Sequence, residues 1–283
     1  MAICLRPINI TQGNEEILVP CGNCFRCRDR RSNDWIYRLL QEDKRAISSF
    51  FVTLTYDNAN VPLSQSGLLS LKYDDVTKFF KRLRYYQTQY RKKWYPEIDH
   101  DPKIRYYLVG EYGGRTDRPH YHAVVFNVLD AGLFFDAWTA GSVHVGSVSG
   151  DSIAYTTKYV MKPQRIPMFQ GDDRVREQSR MSKHIGDNYL TEQMKKWHQQ
   201  DIERVYVQDG QYKKAMPRYY RDKIYTDTER EQQKFIAEDK AEEQFFELSD
   251  RLEKTGYRMN IHEYIDHIRK KERRKLYKNR DKL

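Results

Sequence analysis

The most constraining stretch of this chain is a pair of alternating segments, Ile104–Tyr112 and Tyr121–Phe126, separated by Gly-Gly-Arg-Thr-Asp-Arg-Pro. Aromatic and β-branched residues favour strands, and the Gly/Asp/Pro cluster between them favours a tight reversal, so the segment predicts a β-hairpin. Side chains alternate faces along a strand, so His120 and His122 project together while Tyr121 points away. Glu111 ends the partner strand beside them. Two imidazoles and a carboxylate, with positions left for water or phosphate oxygens, form a catalytic site for Mn²⁺ or Mg²⁺. The plainer alternative, two hydrogen-bonded strand histidines, is less economical once all three residues share one hairpin.

About thirty residues later comes Tyr155-Thr-Thr-Lys-Tyr-Val-Met-Lys162. Asp151 or Ser152 can cap a helix here that ends at Pro163. At 3.6 residues per turn, Tyr155 and Tyr159 share one face, and Lys158 and Lys162 flank it. A phenol with an ordinary pKa near ~10 is a poor nucleophile at neutral pH. Neighbouring ammonium groups and a metal-bound phosphate favour its phenolate. By itself, such a tyrosine pair in a chain with 22 tyrosines is core packing; beside a metal site it is a pair of nucleophiles.

These residues resemble the HUH endonuclease superfamily, and most nearly the rolling-circle replication initiators of the gokushovirus branch of the microviruses, phages with single-stranded DNA. Three motifs carry the resemblance, in the family's order: Phe51-Val-Thr-Leu-Thr-Tyr-Asp57, Arg118-Pro-His-Tyr-His122 and Tyr155–Lys162 with its two tyrosines. The amino-terminal Pro20-Cys-Gly-Asn-Cys-Phe-Arg-Cys-Arg28 is also similar, and the likeness extends over about residues 1–165. Tyr121 departs from the smaller hydrophobic residue usual between the histidines. The resemblance implies a nickase that cuts single-stranded DNA at an origin and forms a 5′-phosphotyrosine link. The freed 3′-OH then primes a host polymerase, and the second tyrosine closes the circle. A single-tyrosine transposase or relaxase of the same superfamily is one rival. A zinc-stabilised DNA-binding protein without catalysis is another.

All four cysteines fall early, at Cys4, Cys21, Cys24 and Cys27. Their spacing suits a structural Zn²⁺ site; an iron–sulfur cluster or reduced free thiols are the alternatives. A pinned arm of this kind presents Arg26 and Arg28 to DNA, as Arg115 and Arg118 at the hairpin tip are placed to do. Fifty Lys/Arg against forty Asp/Glu give a net charge of +10, which fits an anionic partner. No apolar run approaches a membrane span, and no signal-peptide core opens the chain, so the host bacterial cytoplasm is the expected compartment. The absence of a Gly-x-x-x-x-Gly-Lys-Ser/Thr loop leaves unwinding to a host helicase.

The remaining periodicities predict helices over Arg28–Glu42, Asp74–Lys92 and Ala131–Trp138, and strands over Ile47–Tyr56 and Ser142–Val148. The order β-α-β-β-α-β predicts an α+β, ferredoxin-like split βαβ antiparallel sheet, the arrangement of the HUH endonuclease fold. Three regions are expected: a Cys-rich arm and first helix (1–45), the catalytic core (46–165) and a mainly helical carboxyl-terminal appendage (166–283). Residues 164–186 read as a loop, and 187–201 and 228–283 as helices. Asp57 is expected to shape a turn, and His144 to be an ordinary strand residue.

Overall fold

The computed structural model describes residues 4, 7–13, 15–150, 153, 156–157, 166–256, 263–264, 267–268 and 271. They fall into two compact units, Arg38–Asn188 and Met1–Tyr37 with Tyr189–Leu283. Among the described residues, no helix is long and apolar enough to cross a membrane.

The Arg38–Asn188 unit is built on a five-stranded antiparallel sheet. Its strands are β3 (Ser49–Tyr56), β4 (Arg105–Tyr112), β5 (Pro119–Phe126), β6 (Gly141–Ser147) and β7 (Ser179–Met181), in the order β6-β3-β5-β4-β7. Helix α2 (Tyr73–Trp94) joins β3 to β4, and the short α3 (Gly132–Ala137) joins β5 to β6. This connectivity is the expected split βαβ. One face of the sheet packs on the helices. Val52, Leu54, Leu108, Tyr121, Ala123 and Val125 from the strands meet Val76, Phe79, Phe80 and Leu83 of α2 and Leu133 and Phe134 of α3 in one buried cluster. Each such large side chain contributes about 1.5–3 kcal/mol by leaving water.

The loop expected over residues 164–186 is corrected in part: β7 lies within it and pairs with β4 at Tyr107↔Met181. Ser-Arg-Met carries no alternating pattern long enough to register as a strand. It is held because β4 offers an unpaired edge, and because the strap leading to it is fastened at several points. Arg174 donates to Asp172 at 2.9 and 2.8 Å and pairs with Asp117 at 3.3 Å. Tyr112 donates to the Val175 carbonyl at 2.6 Å, and Gln178 donates from its backbone to the Tyr73 hydroxyl.

In the other unit, β1 (Ile8–Gln12) and β2 (Glu15–Val19) form a hairpin that leads into α1 (Phe25–Arg45). A second hairpin, β8 (Tyr206–Asp209) with β9 (Tyr212–Ala215), stands in the appendage expected to be helical. Its turn carries Asp209-Gly210, with Gly210 at φ +60°, the backbone region glycine enters without steric cost. Around it lie helices Glu192–Gln199, Arg218–Ile224 and Asp227–Lys254. The last begins with a capping box between Thr226 and Glu229. Tyr37, Tyr189, Val207, Tyr220 and Ile224 make this unit's core. The basic run Arg269–Lys275, apart from Lys271, lies outside the described residues.

Candidate metal centre

The metal cluster follows from cross-strand register. Glu111 on β4 lies opposite His120 on β5, and Val109 lies opposite His122. On the other side of β5, Thr55 and Thr53 of β3 face His120 and His122. All these side chains share the face of the sheet opposite α2, as the alternation requires. Glu111 Oε2 stands 3.3 Å from His120 Nε2 and 3.6 Å from His122 Nε2. The three ligand atoms all lie within 4.8 Å of one another. The site is recessed, His122 being 8% exposed.

The outer nitrogens decide how the rings are held. His120 Nδ1 is 3.1 Å from the Arg118 carbonyl, which can only accept, so Nδ1 carries the hydrogen and Nε2 is turned toward Glu111. His122 Nδ1 is 3.0 Å from the Thr53 hydroxyl, and the Phe51 ring stacks on the same imidazole at 5.8 Å. A metal-bound histidine characteristically gives its second N–H to such a partner. The residues therefore fit a cation: Oε2 and two Nε2 atoms converge, and a positive charge between them relieves their mutual repulsion. Adjacent ligands around an ion with bonds of ~2.1 Å stand ~3 Å apart, within a few tenths of an ångström of the two distances to Glu111.

Tyr121, between the histidines, faces the helices as expected. Its hydroxyl accepts from the Lys72 backbone at 2.8 Å and pairs with Tyr56 Oη at 3.2 Å. Burial pushes its phenol up to about 12, so it stays neutral and structural. Asp57 shapes a turn, accepting from the Asn60 backbone at 2.8 Å. His144 pairs with Thr53 on β6 and shares the site face, but it is exposed and outside the three-residue cluster.

Arg115 is exposed in the hairpin turn. Arg118 is engaged in the fold: its guanidinium donates to the Tyr56 carbonyl at 3.1 and 2.8 Å and to Asn58 Oδ1 at 2.9 Å. Of the tyrosine motif, Ile153, Thr156 and Thr157 are helical and buried. Tyr155, Lys158, Tyr159 and Lys162 lie outside the described residues. Thr53 and Phe51 are site residues that sequence reading passed over. Their signal was the strand alternation itself, which became informative only once β3 was known to lie beside β5.

The second cluster belongs to the other unit. In the β1–β2 hairpin Ile8 pairs with Val19, so Cys4 and Cys21 emerge at the same end. Cys24 and Cys27 follow across the start of α1. Cys4 Sγ is 3.6 Å from Cys21 Sγ and 3.9 Å from Cys24 Sγ, and all four sulfurs lie within 4.8 Å of one another. Tetrahedral sulfurs around zinc, at ~2.3 Å each, stand ~3.8 Å apart. Backbone N–H groups of Cys21 and Cys24 donate to Cys4 Sγ and Cys21 Sγ, both at 3.3 Å, the kind of contact that favours thiolates. Gly22, at φ +72°, makes the bend between the first two loop cysteines. Arg26 and Arg28 sit in the first turns of α1. Burial first, then Arg31, holds Arg28 below the usual guanidinium value.

A sheet whose inner strands carry a Glu/His/His cluster defines a metal-binding α/β domain. Residues 49–164, which run from β3 through the tyrosine motif, match the model of the replication-associated protein ORF2 family. The chain belongs to these replication-associated proteins. It is 27% identical over 245 residues to replication-associated protein ORF2 of Spiroplasma virus 4, covering 77% of this chain and 74% of that one. It is 28% identical over 223 residues to replication-associated protein VP4 of Bdellovibrio phage phiMH2K, covering 72% and 66%. With replication-associated protein ORF4 of Chlamydia phage 1 it shares 25% over 228 residues, covering 72% and 53%. No solved structure matches the chain.

Proposed function

We propose that this chain is the nickase and strand transferase that starts and ends rolling-circle replication of a circular single-stranded DNA phage genome, acting in the host bacterial cytoplasm. The observation that carries the reading is the convergence of Glu111, His120 and His122 on one recessed point of the sheet. Membership among phage replication-associated proteins supports the substrate class.

Bound by these three residues, Mn²⁺ or Mg²⁺ supplies Lewis-acid polarisation of a phosphate oxygen. The chain's own residues do the rest. Thr53 and the Arg118 carbonyl hold the imidazoles with Nε2 inward. A Tyr155 or Tyr159 phenolate attacks the scissile phosphorus. An O–P bond to tyrosine forms as the P–O3′ bond breaks, the phenolic proton passes to solvent, and the 3′-oxygen takes up a proton to leave as a hydroxyl. Lys158 and Lys162 offset charge on the phosphate. The second tyrosine reverses the exchange at the regenerated origin, and because the bond energy is kept in the phosphotyrosine, no nucleotide is consumed. Strand separation and synthesis fall to host helicase and polymerase. Cys4, Cys21, Cys24 and Cys27 hold a structural Zn²⁺ in this reading, fixing the arm that carries Arg26 and Arg28.

The test is incubation with Mn²⁺ and single-stranded DNA of the parent replicon, followed by a denaturing gel. A protein–DNA adduct that vanishes in the Tyr155→Phe, Tyr159→Phe double variant and after His120→Ala establishes the chemistry. Adducts that persist in the double variant remove the tyrosines from it. Intact DNA binding with no adduct under any metal transfers the case to a zinc-stabilised binding protein, for which the four-cysteine cluster is the supporting observation.

A further inference from the structure

Helix α2 carries a charge pattern that the metal centre does not use. It has seven Lys/Arg and only Asp74 and Asp75 as acids, both in its first turn. Its buried stripe is Val76, Phe79, Phe80, Leu83 and Gln87. At 100° per residue, Lys78, Lys81, Tyr85 and Lys92 fall within ~60° of one another on the opposite side. All four are exposed, Tyr85 to 60%. Among the described residues Lys78, Lys81 and Lys92 make no ion pair, although Lys92 contributes to the field at Asp101, which Arg91 already neutralises at 2.7 Å. The long helix Asp227–Lys254 is the contrast. Its charges are self-paired, as in Lys234 with Glu238 and Lys254 with Asp250, the pattern of a solvated surface.

We infer that the outer face of α2 is a second DNA-contact surface, which grips the phosphate backbone outside the cleavage site. Lys78 to Lys92 spans about 21 Å of helix, enough to follow several phosphates of one strand. An exposed tyrosine within the lysines offers a stacking face to an unpaired base. Because α2 packs on the side of the sheet opposite Glu111, His120 and His122, DNA held there is a different stretch from the one at the metal. The inference rests on the DNA-acting reading above, but not on its chemistry.

The test compares the full-length protein with a Lys78→Gln, Lys81→Gln, Lys92→Gln variant, titrating a labelled duplex and a labelled single strand between roughly 50 and 200 mM salt. The slope of log affinity against log salt should fall by roughly two to three on whichever form the helix grips, since each neutralised phosphate contributes about 0.7–0.9. Arginine at the same three positions should restore it. An unchanged slope on both DNA forms overturns the inference. Loss of binding to anionic lipid vesicles with no change on DNA overturns it too, and reassigns the stripe. Repeating the titration in a His120→Ala background separates the two readings. A slope that still falls there places the contact on α2 whether or not the protein cuts DNA.

Discussion

Glu111 and His120 are direct cross-strand partners on β4 and β5, and their Oε2 and Nε2 atoms stand 3.3 Å apart. One row further into the sheet His122 completes the cluster, with Thr53 behind it on the neighbouring strand. The site is thus a product of register: a slip of one residue in either pairing would turn its ligands to the opposite face.

Thr53 is a positioning residue by this geometry. Thr53→Val removes the partner of His122 Nδ1 while keeping its shape. Mn²⁺ affinity, read by calorimetric titration, should fall roughly 10–100-fold. Thr53→Ser should recover most of it. Equal affinity in all three proteins would detach Thr53 from the metal site.

Tyr121 sits between two ligands but serves the core. Tyr121→Phe leaves the Lys72 backbone N–H without its acceptor and takes a partner from Tyr56. Chemical unfolding should show a loss of about 1–3 kcal/mol. Metal affinity should be unchanged, because the ring faces α2. A large loss of metal binding would contradict the alternation on which the site is built.

The strap over residues 166–178 should be sensitive to acid. Hydrogen bonds from Arg174 hold the Asp172 carboxyl well below the usual carboxylate range. A depressed folded value stabilises the closed strap fully above the unfolded carboxylate pKa, near ~3.9, and the benefit drains away as pH falls below it. Limited proteolysis should therefore find the strap protected from neutral pH down to about 4. Asp172→Asn should open it to cleavage at neutral pH.

Chelation should act on the cysteine unit alone. Stripping metal from the four-cysteine cluster should expose the thiols to an alkylating probe and lower the melting temperature of the Met1–Tyr37/Tyr189–Leu283 unit. Cys24→Ser should do the same without chelator. If native protein is alkylated at all four cysteines with metal present, the cluster does not hold an ion.

Much of this was legible in the sequence because it rests on short-range pattern. His120, His122 and Glu111 declare their common face through two-residue alternation and a turn between two strands. α2 announces itself through Val76, Phe79, Phe80 and Leu83. What escaped was set by partners distant in the chain. β7 is three residues long and is a strand only because β4 had an edge to fill. The β1–β2 hairpin, which gathers Cys4 to Cys21, lies in a segment whose polar residues disguise its alternation. The β8–β9 hairpin did carry its signal, Asp209-Gly210, but the charge-rich surroundings read as helix. Thr53 illustrates the general reason: a hydroxyl on a strand has no chemistry until its neighbour is known.

β7 has an effect out of proportion to its length. With it in place, β4 is paired on both sides, as β5 already is between β3 and β4. Both strands that carry the ligands are therefore interior strands. The anvil is fixed, and whatever travel strand exchange demands must be made by the DNA and the groups brought to bear on it.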